Sequence, residues 1–215
     1  MSKGRSETHD LARQLFRDQK KMLDLIKRDR PESGFATAVF RLFGDRPKRG
    51  KTVRIGKHEF QYSSHEKSLV SFLPARWHEE LDKTKGAWSG CENWWAGYPL
   101  IGWVEMRASD DGTTAHLKLH AEVGPVSDHK FRKGIIEAIR VTASEKGLER
   151  IQFPVGASDK GRLYSRFLRE NSIAISDSRN ADEIAKRFTE LIASFEPEFE
   201  LVSSVIPKFP SDIAP

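Results

Sequence analysis

Two segments of alternating apolar and polar residues, separated by a turn sequence, constrain the fold of this chain most strongly. In the second segment, 114–124, four polar side chains share one face: His116, Lys118, His120 and Glu122. Successive side chains of a β-strand point to opposite faces, so this alternation predicts a strand with one buried face. The first segment, 100–109, and the Asp-Asp-Gly-Thr sequence between the two predict an antiparallel hairpin over residues 98–123.

Further elements are predicted from apolar spacing and from the residues that typically begin and end helices. The predicted helices are 10–29, 31–45, 75–83, 127–146 and 180–195. Asn180 and Glu183 form a capping-box-like pair at the start of the last helix. A strand is predicted at 68–74, an edge strand around Val53 and Ile55, and another strand near 173–175.

Helices that come first, followed by a hairpin-based sheet with interspersed helices, predict an α+β fold. We expect an antiparallel sheet built around the central hairpin, with helices 127–146 and 180–195 packed on one face. On this basis the chain divides into three parts. They are an N-terminal helical segment, 1–45, an α+β domain, 46–200, and a C-terminal tail, 201–215.

Basic residues are concentrated in the N-terminal part of the chain. The whole sequence has 36 Lys and Arg against 31 Asp and Glu, whereas residues 1–60 have 16 against 8. One run contains six basic residues and no acidic one: Arg46, Lys48, Arg49, Lys51, Arg54 and Lys57. Such a run favours contacts with phosphates. The alternative is a solvated loop beside an edge strand, where basic side chains discourage pairing with another strand.

Two adjacent tryptophans, Trp94 and Trp95, lie in an aromatic, glycine-containing segment before the hairpin. An exposed tryptophan can stack on a nucleobase or anchor a protein partner. The alternative is packing in the core, because aromatic side chains bury large areas. Neighbouring side chains rarely point the same way, so we expect only one of the two to be exposed.

Several classes of protein are disfavoured by the sequence. A single cysteine, Cys91, excludes a disulfide within the chain and a cysteine-based zinc site within it. The N-terminus lacks the apolar run of a signal peptide, and no stretch has membrane-spanning length. We therefore expect a cytoplasmic protein without membrane association. No dinucleotide or phosphate-binding glycine motif indicates a cofactor, and none is expected.

A metal or nuclease site on the alternating strand is the enzymatic hypothesis. His116 and His120 are four positions apart on one strand, roughly 13 Å, so one ion cannot bind both. Glu105, Lys118 and Glu122 form the best candidate set for a degenerate metal-dependent nuclease. The nearest Glu-x-Lys match is Glu105-Met106-Arg107, in which arginine replaces the lysine. We expect no bound metal, and we leave open whether the protein is an enzyme.

Four stretches resemble one known group of proteins. They are "SLVSFLPARWHEEL", "WSG…YPLIGWVEM", "HLKLHAEVGPVSDHKFRKGIIEAI" and "YSRFLRENSIAISDSRNADEIAKRF", within residues 35–195. The pattern is similar to the C-terminal, accessory portion of prokaryotic PD-(D/E)XK nuclease superfamily proteins, where it follows a separate nuclease region. We expect that region to be missing here, and none of the family's catalytic residues is carried over. The resemblance implies a prokaryotic, DNA-associated or phage-defence context.

The sequence thus predicts a non-catalytic nucleic-acid-binding or accessory subunit of a prokaryotic nuclease or phage-defence system. Its expected partners are nucleic acid, with DNA favoured, and a protein of such a complex. The alternatives are the degenerate nuclease and a protein-interaction module or inhibitor. On this interpretation the face that carries His116 to Glu122 is hydrated or faces a partner, and Lys130, Arg132 and Lys133 are solvated cations.

Overall fold

The computed structural model describes residues 33–83, 88–95 and 97–209, together with positions 14, 16, 17, 19 and 20. The chain separates into two compact units, Met1–Glu32 and Ser33–Pro215. The five upstream positions are helical, and the rest of the predicted helix 10–29 lies outside the described residues.

Seven antiparallel strands form one sheet, and together with the helices they confirm the predicted α+β fold. The strands are β1 (Thr52–Ile55), β2 (His58–Glu66), β3 (Leu69–Pro74), β4 (Leu100–Ala108), β5 (Ala115–Val123), β6 (Ser165–Arg166) and β7 (Ser172–Ile175). Their order is β1-β2-β3-β4-β5-β6, and β7 also pairs with β5.

In the described part of the unit Ser33–Pro215, five helices and one short 3-10 turn accompany the sheet. The helices are α1 (Gly34–Phe43), α2 (Ala75–Asp82), α3 (His129–Glu145), α4 (Ala181–Ser194) and α5 (Glu196–Val205), and the 3-10 turn is Ile206–Lys208. Asn180 caps α4 as predicted, because its side-chain oxygen accepts hydrogen bonds from the amides of Asp182 and Glu183. The carboxylate of Glu183 instead accepts hydrogen bonds from Ser176 and Asp177, which joins α4 to the end of β7.

The hairpin β4–β5 forms in the predicted register. Leu100 pairs with Val123 and Ala108 with Ala115, so the turn falls at the Asp-Gly sequence. Leu117 and Leu119 are fully buried on the face that α3 and α4 cover. Burial of apolar side chains between the sheet and these helices is the main stabilising contribution to this part of the core.

Helix α1 packs into the α+β unit, although the sequence placed it in the N-terminal segment 1–45. Phe35, Ala38, Val39 and Phe43 are buried in the common core, and α1 contacts α4. A Cβ atom on Gly34 would lie 2.7 Å from the backbone of Arg179, so the two chain segments approach closely. The larger unit therefore begins at Ser33.

The predicted C-terminal tail also differs from the structure. Residues 201–209 end α5 and form the 3-10 turn, and their buried members are Leu201, Val202, Val205, Ile206 and Phe209. The prolines that suggested an irregular tail lie where proline is tolerated, because Pro197 and Pro207 occupy first turns.

Candidate nucleic-acid interface

The basic run begins just after α1 and ends in the turn between β1 and β2. All six side chains are exposed, and they are Arg46, Lys48, Arg49, Lys51, Arg54 and Lys57. Val53 and Ile55, which alternate with them along β1, are buried and fix the strand to the core. β1 is the outermost strand of the described sheet on this side. The buried side chains of Val53 and Ile55 therefore attach β1 to the core, while the basic side chains of the run remain in solvent.

Backbone hydrogen bonds order the loop before β1. The Gly50 amide donates to the Tyr62 carbonyl at 2.8 Å, and the Tyr62 amide donates to the Lys51 carbonyl at 2.9 Å. The Lys51 amide donates to the Lys48 carbonyl at 3.0 Å, which closes a turn. Lys48, Arg49 and Lys51 thus project from a backbone that is already fixed to β2, and little backbone entropy is lost when they bind a ligand.

The six cations differ in their acidic neighbours. Nε of Arg54 lies 3.6 Å from the Glu59 carboxylate, whereas none of the other five has a carboxylate within 4.0 Å among the described residues. Arg54 and Lys57 also line a cleft of about 320 Å³ between β2, α2 and α5. The cations least compensated by acidic groups are therefore Arg46, Lys48, Arg49 and Lys51.

The cleft itself carries as many acids as bases. Nδ1 of His58 lies 2.5 Å from the Glu196 carboxylate, and Arg76 donates to Glu200 at 2.7 Å. Glu59 and Glu79 also line it. Because carboxylates balance the cations, the cleft does not favour a polyanion, and the loop side of the basic run is the better phosphate-binding surface.

The two adjacent tryptophans occupy different environments. Trp94 is only 8% exposed and packs so closely on Gly124 that a Cβ there would lie 2.2 Å from its ring. Trp95 is half-buried, with a left-handed φ of 30°, and its ring centroid lies 5.3 Å from that of Trp103. Of the two, only Trp95 is accessible to a ligand, and Trp94 has a packing role.

The polar face of the hairpin is only partly hydrated, which corrects the first alternative of the prediction that this face is hydrated or faces a partner. His116 is exposed, but His120 and Glu122 are only 5% and 8% exposed. The ring of His120 stacks on Trp103 at 4.7 Å between centroids, and the guanidinium of Arg166 lies 4.9 Å from the Trp103 ring. Alternation in the sequence predicts which side chains share this face. It does not reveal that side chains from other segments, such as Arg166, cover part of it.

The candidate nuclease residues share this face without converging. Glu105 pairs directly with Lys118 across the hairpin, whereas Glu122 pairs with Ile101, four positions from Glu105 along β4. That separation is roughly 13 Å along the strand, too long for one ion to bind both carboxylates. No group of three potential ligands that could hold a metal ion occurs among the described residues.

Each of these carboxylates already has an arginine partner. Arg107 donates to Glu105 at 3.0 Å, and Arg166 donates to Glu122 at 3.2 Å. Burial by itself would raise the pKa of Glu105, but the hydrogen bond and charge of Arg107 hold it below its usual value. Burial raises the pKa of Glu122, and the bond from Arg166 only partly opposes this effect.

Arg132 is buried, whereas the sequence suggested a solvated cation. It is 2% exposed, and its guanidinium donates to the carbonyls of Gly124 and Ala157 at 3.0 and 2.9 Å and to the Ser165 hydroxyl at 2.7 Å. These bonds hold the segment 154–165 against the start of α3. The carbonyls that Arg132 binds come from separate segments and meet only in the folded chain. The spacing of residues along α3 therefore does not predict that Arg132 is buried.

Cys91 is not suited to nucleophilic chemistry. Its side chain is fully buried, and burial, assisted by the charge of Glu92, raises the pKa of the thiol to about 12. A thiol with such a pKa is protonated at neutral pH and is a poor nucleophile. Packing is the role that the structure gives this residue.

No family model, no curated protein and no solved structure matches this chain. Within the part of the chain that the structure describes, no helix combines the length and apolar composition required to cross a lipid bilayer. Two surfaces of the described residues carry the functional information, the basic run and the polar face of the hairpin.

Proposed function

We propose that this protein is a non-catalytic nucleic-acid-binding or accessory subunit of a prokaryotic nuclease or phage-defence system. The observation that carries the proposal is the exposed row of six cations on an ordered backbone. Five of them have no carboxylate within 4.0 Å in the part of the chain that the structure describes. Neutralising phosphates with such side chains releases condensed counterions, which supplies most non-specific binding free energy.

The sequence resemblance supports the context of the proposal. In prokaryotic PD-(D/E)XK nuclease superfamily proteins the similar portion follows a separate nuclease region, so we infer that DNA is the nucleic acid and that another protein supplies catalysis. Binding through lysine and arginine contacts to phosphates carries little sequence information, so weak sequence preference is part of the proposal.

A salt titration of binding tests the role of the basic run. The triple variant Lys48→Ala, Arg49→Ala, Lys51→Ala removes three exposed cations with no close acidic neighbour. Each lost phosphate contact lowers the magnitude of the slope of log K against log salt by about 0.9, so we expect a reduction of about 2 to 3. The measurement is fluorescence anisotropy of a labelled DNA duplex over a range of salt concentrations.

A matched control variant removes the same charge from other surfaces. Lys133, Lys186 and Lys208 are exposed on α3, α4 and the 3-10 turn, and their replacement by alanine changes the net charge equally. We expect the slope of this control to stay within about 1 of the wild type, because no specific phosphate contact is lost. Equal slopes for the two triple variants would show that the basic run is only a solvated loop.

A metal-dependent nuclease is the second candidate, and one contact favours it. Glu105 faces Lys118 directly across the hairpin, and its Oε2 lies 3.5 Å from Nε2 of His120. Incubation of plasmid and single-stranded DNA with magnesium or manganese tests it. Cleavage that Glu105→Ala abolishes, while the variant still unfolds at the wild-type urea concentration, would replace the non-catalytic proposal with this one.

A further inference from the structure

A second basic surface, separate from the basic run, surrounds the outer part of the hairpin's polar face. We call it the aromatic–basic surface, and its exposed or half-buried members are Trp95, Arg107, Lys118, Arg162, Tyr164 and Arg166. Arg107 and Lys118 come from the hairpin and Trp95 from the segment before it. Arg162 and Tyr164 come from the segment that leads into β6, and Arg166 belongs to β6 itself. Lys118 also belongs to the nuclease candidate set, whereas the other five residues belong neither to that set nor to the basic run.

The segment that carries Tyr164 is rigidly held. Arg132 donates hydrogen bonds to the Ala157 carbonyl and the Ser165 hydroxyl. In addition, β6 pairs with the end of β5, with Ser165 opposite Val123 and Arg166 opposite Glu122. Tyr164 nevertheless remains 45% exposed, and its ring centroid lies 6.1 Å from that of the buried Trp94. An exposed aromatic side chain on an anchored backbone offers a stacking surface, and little backbone entropy is lost when a base stacks on it.

The charges on this surface favour an anion. Its two carboxylates, Glu105 and Glu122, are already paired with Arg107 and Arg166. Lys118 and Arg162 add positive charge, and neither lies within 4.0 Å of a carboxylate among the described residues. Nε of Arg162 instead donates to the Tyr164 carbonyl at 3.3 Å, which holds this cation at the backbone of Tyr164.

We propose that the aromatic–basic surface binds single-stranded nucleic acid, with bases stacked on Tyr164 and Trp95 and phosphates on Arg162 and Lys118. This inference rests on the proposed function and names its ligand class. Aromatic side chains can stack on unpaired bases, whereas the bases of a duplex already stack on one another. A row of cations alone binds duplex and single strand alike, so the aromatic groups distinguish this surface from the basic run.

Binding of labelled oligothymidylate and oligouridylate, each of about 15 nucleotides, tests the proposal against a duplex. Tyr164→Ala removes one stacking partner from a solvent-exposed position, so the fold should persist. We expect its Kd for the single strand to rise about 5- to 150-fold, the range for loss of one base–aromatic stack, and its Kd for the duplex to change less than about twofold. The two oligonucleotides show whether the sugar matters, and binding of either supports the proposal.

Two control variants separate stacking from other effects. Leu163→Ala removes an exposed apolar side chain without a ring, 53% exposed in the same segment, and we expect no change beyond about twofold. Tyr164→Phe keeps the ring and should bind as the wild type. Wild-type affinity in Tyr164→Ala overturns the proposal, and so does an equal loss for duplex and single strand.

The result also distinguishes this inference from the proposed function. If the basic-run triple variant loses its salt slope while Tyr164→Ala binds single strands normally, only the aromatic–basic surface is refuted. If the wild type binds neither duplex nor single strand at low salt, both proposals fail.

Discussion

The buried side chain of His120 should make the free energy of unfolding depend on pH, and replacing it with a residue that cannot titrate should remove this contribution. The side chain is 5% exposed, and its Nε2 atom makes no hydrogen bond to any described group. Burial, together with the charges of Arg166 and Lys118, lowers its pKa to about 4, and the nearby carboxylate of Glu105 only partly opposes this. The folded protein therefore holds His120 neutral under conditions in which a solvated histidine would be charged.

The size of the effect follows from the two pKa values. In the unfolded chain the histidine has a pKa of 6.5, so between pH 6.5 and 4 the unfolded state binds more protons than the folded state. Falling pH then favours unfolding, and the stability is complete only above pH 6.5. Between pH 7.5 and 5, His120 alone should cost about 2 kcal/mol of the free energy of unfolding.

His120→Phe tests this reasoning because phenylalanine keeps a ring against Trp103 but cannot titrate. The free energy of unfolding is measured by urea denaturation, followed by tryptophan fluorescence, at pH 7.5 and pH 5. We expect the variant to gain about 2 kcal/mol relative to the wild type between these two pH values. Other ionisable groups contribute equally to both proteins and cancel in the difference.

His116→Phe is the matched control. His116 lies on the same strand and face, but its side chain is exposed. Its difference from the wild type should be the same at both pH values within about 0.5 kcal/mol. If the difference between His120→Phe and the wild type were equally independent of pH, the argument from burial would be refuted.

Three further changes should reduce stability in the same urea assay. Asn180→Ala removes the cap of α4 and should cost about 1 kcal/mol, whereas an unchanged midpoint would show that the cap contributes nothing. Gly124→Ala forces its Cβ into the ring of Trp94 and should cost about 1 to 3 kcal/mol, so wild-type stability would contradict the close packing. Arg132→Met leaves buried carbonyls unpaired, should cost at least about 3 kcal/mol, and should expose 154–165 to trypsin. Continued resistance of that segment would show that Arg132 does not hold it.

The sequence by itself determined the elements whose patterns are local. Alternation along 114–124 and the Asp-Gly turn determine the register of the hairpin. Side chains alternate between the two faces of a strand, so a shift of one residue would move the apolar side chains from the core into solvent. The cap at Asn180 and the exposed basic run were likewise predictable, since each depends on a few neighbouring residues.

Other elements could not be read from local patterns. Strand β2 was not predicted, because a bulge between Tyr62 and Ser64 interrupts its alternation. The sequence predicts an irregular C-terminal tail, because Pro197 indicates a break in helical structure. In the structure Pro197 lies in the first turn of α5, where proline is favourable. In both cases the deciding information is which other segment the residues pack against.

The tertiary structure alone decided what the polar face of the hairpin is. Glu105, Lys118 and Glu122 look like one site in the sequence, but pairing across the strands separates the two carboxylates and gives each an arginine partner. Arg132 became a buried anchor because carbonyls from distant segments converge on it. Long-range pairing brings such groups together, and no local period in a sequence records it.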